Sequence, residues 1–155
     1  DSRARECCVV NISGGMIALT ANTFYDLLPV SGNGNFNSIT NRTNNFVNSA
    51  VSWSGTTLSG FVSTKTYMIM LNCGASSWNI NTSPTLLTFD IVVNGNRVAS
   101  ATHSFDADGS FGAGFGCSWV GTGVNNVRVR IFPSASTSLG FREPNTVIDL
   151  KIVEL

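Results

Sequence analysis

The chain has 155 residues and a mass of 16.4 kDa, a length that suits one domain built on a single continuous core. Hydrophobic residues make up 43% and the mean hydropathy is +0.17, which excludes a disordered tail, while only 12% are charged against roughly 25% in an ordinary soluble domain. Nine Lys/Arg balance nine Asp/Glu, and without a basic stripe the phosphate-neutralising contribution that drives nucleic-acid binding is missing.

Polarity comes instead from 19 Ser, 15 Thr and 17 Asn, a third of the chain, a composition that favours β-structure and turns over helix. Period-2 alternation dominates and no i, i+3, i+4, i+7 apolar stripe is found, so the chain reads as all-β. The opening Asp1-Ser2-Arg3-Ala4-Arg5 is no signal peptide and has no Met, which reads as an excised or processed piece, with residues 1–15 next to a stalk. Residues 7–46 read as loop-like around a strand at 16–19, with a Gly/Asn/Ser-rich surface stretch at 31–38 and a further strand at 46–53.

The segment 58–73 follows, with Tyr67, Ile69, Leu71 and Cys73 on one face and Met68, Met70 and Asn72 on the other. A strand apolar on both faces needs cover on both sides. Its longest apolar run, around Tyr67 to Leu71, stops far short of the ~18 residues of a membrane span. The run 86–93 then meets Asn94-Gly95-Asn96 and leaves through 97–101, and Asn-Gly between alternating segments is the strongest short hairpin signal. In 111–119 the residues Phe111, Ala113, Phe115, Cys117 and Trp119 share one face, and Gly112, Gly114 and Gly116 leave the other without side chains, as where another backbone approaches closely. Strands at 127–131 and 146–155 close the series, and eight to ten strands in this length make an antiparallel sandwich or barrel.

Little in the chain suggests catalysis. His103 is the only histidine, no Gly-x-Ser-x-Gly occurs, and the carboxylates are scattered, so a zinc site and a triad both lack parts and the chain reads as a non-enzyme without cofactor or metal. Asp106 and Asp108 before Gly109 resemble the front of a calcium loop but lack its downstream Glu, which favours an ordinary Asp/Gly turn. Gly112 to Gly116 is not followed by a helix and is no phosphate cradle. Cys73 and Cys117 read as small buried hydrophobes. The adjacent Cys7 and Cys8, if oxidised, would bridge between chains rather than to each other. Sequons stand at Asn11, Asn41 and Asn81. Trp53 and Trp119 read as core, whereas Trp78 in a polar stretch is a candidate for ligand contact.

From residue 46 onward the order Asn48 to Trp53, Gly60-Phe61-Val62, Tyr67 to Asn72, Phe89 to Val98, Val127 to Ile131 and Val147 to Leu155 resembles the trimeric jelly roll of C1q/TNF-like domains. The resemblance covers about 110 residues by pattern and spacing. It implies a homotrimer used as the globular tip of a stalk or fibre, extracellular or on a virion surface, attached to a host-cell surface protein or glycan without nucleic acid or membrane insertion. Within it Met68, Met70, Gly112, Gly114 and Gly116 are the expected trimer interface. The expected ligand contacts are Trp78, Asn79, Asn81, Ser136 and Arg142, from loops at 31–45, 74–84 and 134–144. A viral spike or surface-fibre head leads; a structural protrusion without ligand and a secreted C1q- or TNF-like signalling ligand are the alternatives.

Overall fold

Thirteen strands and no helix make up the described residues of the computed structural model, which are 5–13, 16–26, 41–46, 50–141 and 148–155, with side chains described at 18–26, 50–52, 54–74, 79–109, 114–140 and 148–155. In chain order they are β1 (Arg5–Ser13), β2 (Met16–Leu19), β3 (Tyr25–Asp26), β4 (Asn41–Phe46), β5 (Ser52–Ser54), β6 (Thr57–Ser59), β7 (Thr66–Ile80), β8 (Thr85–Val93), β9 (Asn96–Phe105), β10 (Gly109–Thr122), β11 (Asn126–Pro133), β12 (Thr137–Phe141) and β13 (Ile148–Glu154). One sheet runs β2-β12-β7-β13-β1-β4 with β10 along the other side of β7; the second runs β5-β6-β11-β8-β9 with β3 beside β11. Every ladder is antiparallel. The two sheets form an antiparallel sandwich, as the alternation leads one to expect, and a jelly roll, as the resemblance implies.

Alternation decides which side chains enter the core. Tyr67, Ile69, Leu71 and Cys73 of β7 and Ile148, Leu150 and Ile152 of β13 face Leu87, Phe89, Ile91 and Val93 of β8 and Val127, Val129 and Ile131 of β11, all at most 4% exposed. Each such aliphatic or aromatic side chain contributes about 1.5–3 kcal/mol relative to exposure. Trp119 packs against this core and half-buried Cys117 joins it, in keeping with the core reading of both. The side chain of Trp53 lies outside the described residues.

The β8–β9 hairpin forms where Asn-Gly places it, with Asn94 at φ 52° and Gly95 at φ 82°, the pair of positive values that a type I′ turn requires. The Gly60-Phe61-Val62 lead-in to β7 is also built on a backbone demand. Gly60 has φ +94°, and a Cβ there would collide with the Ala50 carbonyl. Val62 N then donates to the Tyr67 hydroxyl at 2.9 Å, and Phe61 meets the Tyr67 ring edge-on. This satisfies the one polar atom of a fully buried tyrosine.

Several expectations need correction. The loop-like reading of 7–46 is replaced by β1 to β4, because β1 is laddered to β13 on one side and β4 on the other and so draws its order from distant partners. The stretch 31–38 lies outside the described residues. The strand expected at 46–53 is two pieces, the end of β4 and β5, and 58–73 divides into β6 and β7. The loop expected at 74–84 is strand as far as Ile80, since β10 and β12 pair with its two edges. The loop expected at 134–144 contains β12, held between β2 and β7.

Candidate functional site

The outer face of the first sheet is the first candidate surface. Register places Val120 and Val153 opposite Met68, Ser118 and Lys151 opposite Met70, and Gly116 and Asp149 opposite Asn72, so β10, β7 and β13 present three rows. The first row is wholly apolar and the next two grow polar. Met68 and Met70 are half-buried, Val120 is 53% exposed, and Val153, outside the core cluster, is buried on this opposite face. The core thus covers one side of β7 from Tyr67 to Cys73, while a single chain covers the methionine side only in part. Val120, Val153, Asp149 and Lys151 were not singled out from sequence, although continuing the alternation of 111–119 and 146–155 would have found them.

A shallow open groove of about 340 Å³ runs along this face, lined by Met70, Asn72, Gly116, Cys117 and Ser118. The glycines have different causes. At Gly116 a Cβ would collide with the Leu71 carbonyl, so the backbone that approaches there belongs to the chain's own β7; at Gly114 there is open space. Gly112 is on β10 with its surroundings outside the described residues.

The second candidate surface is the end of the sandwich where β7 stops. Trp78 and Asn79 pair with Phe141 and Gly140 of β12 and with Phe111 and Ser110 of β10, so both are strand positions and not the loop positions expected. The Trp78 side chain and all of Arg142 lie outside the described residues. Asn81 follows β7 directly. Its Oδ1 accepts from Ser138 N at 2.7 Å, Thr137 Oγ1 at 3.0 Å and Thr82 Oγ1 at 3.4 Å, which ties the β7 end to the start of β12. Ser136 Oγ accepts from Ala21 N at 3.0 Å. Trp78, Asn79, Asn81 and Ser136 are therefore brought to one end, but two of the four hold the scaffold with the polar atoms expected to meet a ligand. Asp106 serves the β9–β10 turn, accepting from Ser104 Oγ at 2.7 Å, with Gly109 at φ +123°.

A third polar cluster, unread in the sequence, lies on the outer face of the second sheet. Asp90 is fully buried there, and Arg130 on the neighbouring β11 donates to its Oδ2 at 3.3 Å while its guanidinium sits 4.2 Å from the Phe24 ring centre. Phe24 also packs on Phe132, and Arg128 pairs with Asp26 at 3.5 Å. Burial pushes the Asp90 carboxyl above the usual carboxylate range, and Arg130 and Arg97 pull it back only in part. The available signal was charge inside alternating runs, at Asp90 in 86–93 and at Arg128 and Arg130 in 127–131.

The remaining reactive groups are packed away. Burial drives the Cys73 thiol far above its ordinary value and that of Cys117 up to about 11, which keeps both protonated and unreactive at neutral pH. His103, a strand residue of β9, stacks on Phe115 at 5.1 Å and meets Phe105 edge-on. Among the described residues no three His, Cys, Asp or Glu gather as a metal group, and no helix is long and apolar enough to cross a membrane.

No family model and no curated protein matches the sequence. Solved structures do match its fold. Murine APRIL superposes with a TM-score of 0.55 at 10% identity, covering 97% of this chain and 100% of that one. Eiger TNF from S. frugiperda gives 0.50 at 10% identity, covering 97% and 93%. Identity this low speaks for architecture alone, and with the sandwich and its strand order it establishes that this chain folds as a TNF-like jelly roll.

Proposed function

We propose that the chain is a non-enzymatic recognition head that works as a homotrimer, with the outer face of the β7/β10/β13 sheet turned toward sister subunits and a cell-surface protein or glycan held at the free end. The observation that carries this reading is the row Met68, Val120 and Val153, apolar across three strands and covered only partly by its own chain. Apolar surface in a contiguous row is what a subunit contact buries. Met70, Gly114 and Gly116 extend the face, and Gly112, further along β10, is proposed to continue it. The neutral, Ser/Thr/Asn-rich composition suits a part that stays soluble outside a cell or on a virion.

Presentation on a viral spike or surface fibre is the first form of this proposal. A free TNF-like ligand is the second, favoured by coverage of 97% of this chain and 100% of the murine APRIL chain. Both require the trimer. Size-exclusion chromatography with light scattering tests it: a species near three times 16.4 kDa supports the head, and a monomer at micromolar concentration removes its main support. Binding of the trimer to cultured cells or a glycan array, lost on Trp78→Ala or Ser136→Arg, separates a recognition head from a purely structural protrusion, for which neither change has an effect.

A further inference from the structure

The tip of the β8–β9 hairpin carries a chemically reactive pair. Asn94 and Gly95 are both exposed, and there is open space at the Gly95 Cβ position. Asn is a labile residue, and a following Gly, with no Cβ, lets its own nitrogen approach the Asn side-chain carbonyl carbon. Here the side-chain amide is held. Asn94 Nδ2 donates to the Gly123 carbonyl at 2.7 Å, while Oδ1 accepts from Asn125 N at 2.8 Å and Asn126 N at 3.2 Å. Asn94 N also donates to the Asn126 carbonyl at 3.1 Å, so the β10–β11 connection grips backbone and side chain together. Both heteroatoms of the amide are engaged by groups 29 to 32 residues away, and Cγ turns to the Gly95 nitrogen only when those bonds open.

We propose that Asn94 is a self-modification site gated by this fastening: it converts to aspartate or isoaspartate in chains whose hairpin tip has come away from the β10–β11 connection, and the isoaspartate form does not refasten. In the first step the Gly95 nitrogen gives its proton to a solvent base and forms a bond to Asn94 Cγ. The Cγ–Nδ2 bond breaks, and Nδ2 leaves with the electron pair and a solvent proton as ammonia. Water then adds to one of the two carbonyls of the five-membered imide, and the bond from that carbon to nitrogen breaks. Opening at Cγ leaves aspartate; opening at the main-chain carbon leaves isoaspartate, whose backbone runs through Cβ and Cγ. The aspartate keeps an acceptor for Asn125 N and Asn126 N but sets a carboxylate oxygen against the Gly123 carbonyl. The isoaspartate adds a methylene to a two-residue turn whose geometry is fixed by two positive φ values. The tip lies at the end where β7 starts, because Gly123 follows Thr122, the partner of Thr66, and so it is clear of the end assigned to ligand contact.

The test follows the full chain at neutral pH, in buffer and in unfolding urea, by mass spectrometry of the peptide between Lys65 and Arg97 with the isoaspartate form separated by chromatography. Three side-chain bonds set a floor: folded chains should convert at least about tenfold more slowly than unfolded ones, and a smaller ratio overturns the gate. Asn125→Pro removes one donor and leaves Asn94 in place. With the circular dichroism of the parent retained, it should speed conversion of the folded chain at least about twofold, and an unchanged rate places the protection elsewhere and overturns the proposal. Isoaspartate chains refolded from urea should exchange the Asn125 and Asn126 amide hydrogens faster than unconverted chains. Equal protection at both amides overturns the loss of fastening. None of these readings depends on the light-scattering mass, so this proposal and the trimer fail separately.

Discussion

At Asp90 a carboxylate has been taken out of water with a single hydrogen-bonding partner. Its Oδ2 accepts from Arg130, and its buried Oδ1 has no hydrogen-bond donor. Breaking such a pair from one side leaves an uncompensated charge, so Arg130→Ala should cost about 3–5 kcal/mol in urea unfolding at neutral pH. The pH dependence has a definite sign. The folded-state value is raised above the ordinary value of about 3.9, so the folded chain holds this proton more tightly than the unfolded one. The contribution is then fully present below pH of about 3.9 and is lost as pH rises through the folded value. Asp90→Asn should gain in stability relative to the parent chain as pH is raised from about 3.5 to 6, measured by urea melts at both ends. A relative loss over that range would mean that the arginines lower the carboxyl instead. Gly60 carries a different constraint: with φ +94° and the Ala50 carbonyl in the way of a Cβ, Gly60→Ala should cost at least about 2 kcal/mol and lower the thermal midpoint.

The β8–β9 hairpin shows how an element is held beyond its own turn. Asn94 Nδ2 donates to the Gly123 carbonyl at 2.7 Å, and its Oδ1 accepts from Asn125 N at 2.8 Å and Asn126 N at 3.2 Å, so the hairpin tip is fastened to the β10–β11 connection. Asn94→Ala removes these and an αL-tolerant residue, an expected loss of about 2 kcal/mol in chemical denaturation, whereas Asn94→Asp keeps the acceptor and should lose about half as much. The turn itself was legible, because Asn-Gly between alternating runs is a local signal. The fastening was not, because it joins residues 29 to 32 apart in the chain. The same distinction separates the parts of the fold that the sequence revealed from those it hid. Strands 86–93, 127–131 and the last strand announce themselves by alternation, but Gly74 to Ser77 is small or polar, and the stretch to Ile80 is strand because β10 pairs along one edge and β12 pairs with Trp78 to Ile80 on the other. At the candidate end, Asn81 read as a ligand residue because its bonds to Thr137 and Ser138 span 56 and 57 residues.

For the whole molecule the consequential feature is that β7, from Tyr67 to Cys73, has one face sealed by the core and one face only half covered. Val120, at 53% exposure beside Met68, gives up apolar surface to water that a neighbouring subunit would remove. If three copies share that face, folding and assembly are linked by mass action, and the stability of each subunit depends on concentration. For a trimer, a tenfold rise in concentration adds two-thirds of the free energy of a factor of ten, about 0.9 kcal/mol per subunit, or about 3 °C in the thermal midpoint. Replacing Met68 and Val120 together by Glu puts three pairs of charges into the contact. The double variant should therefore elute as a monomer with a midpoint independent of concentration, while keeping the far-ultraviolet circular dichroism of the parent. A parent chain whose midpoint stays fixed across a hundredfold dilution would show that the methionine face is an ordinary solvent surface, with Val153 covered well enough by its own strand neighbours.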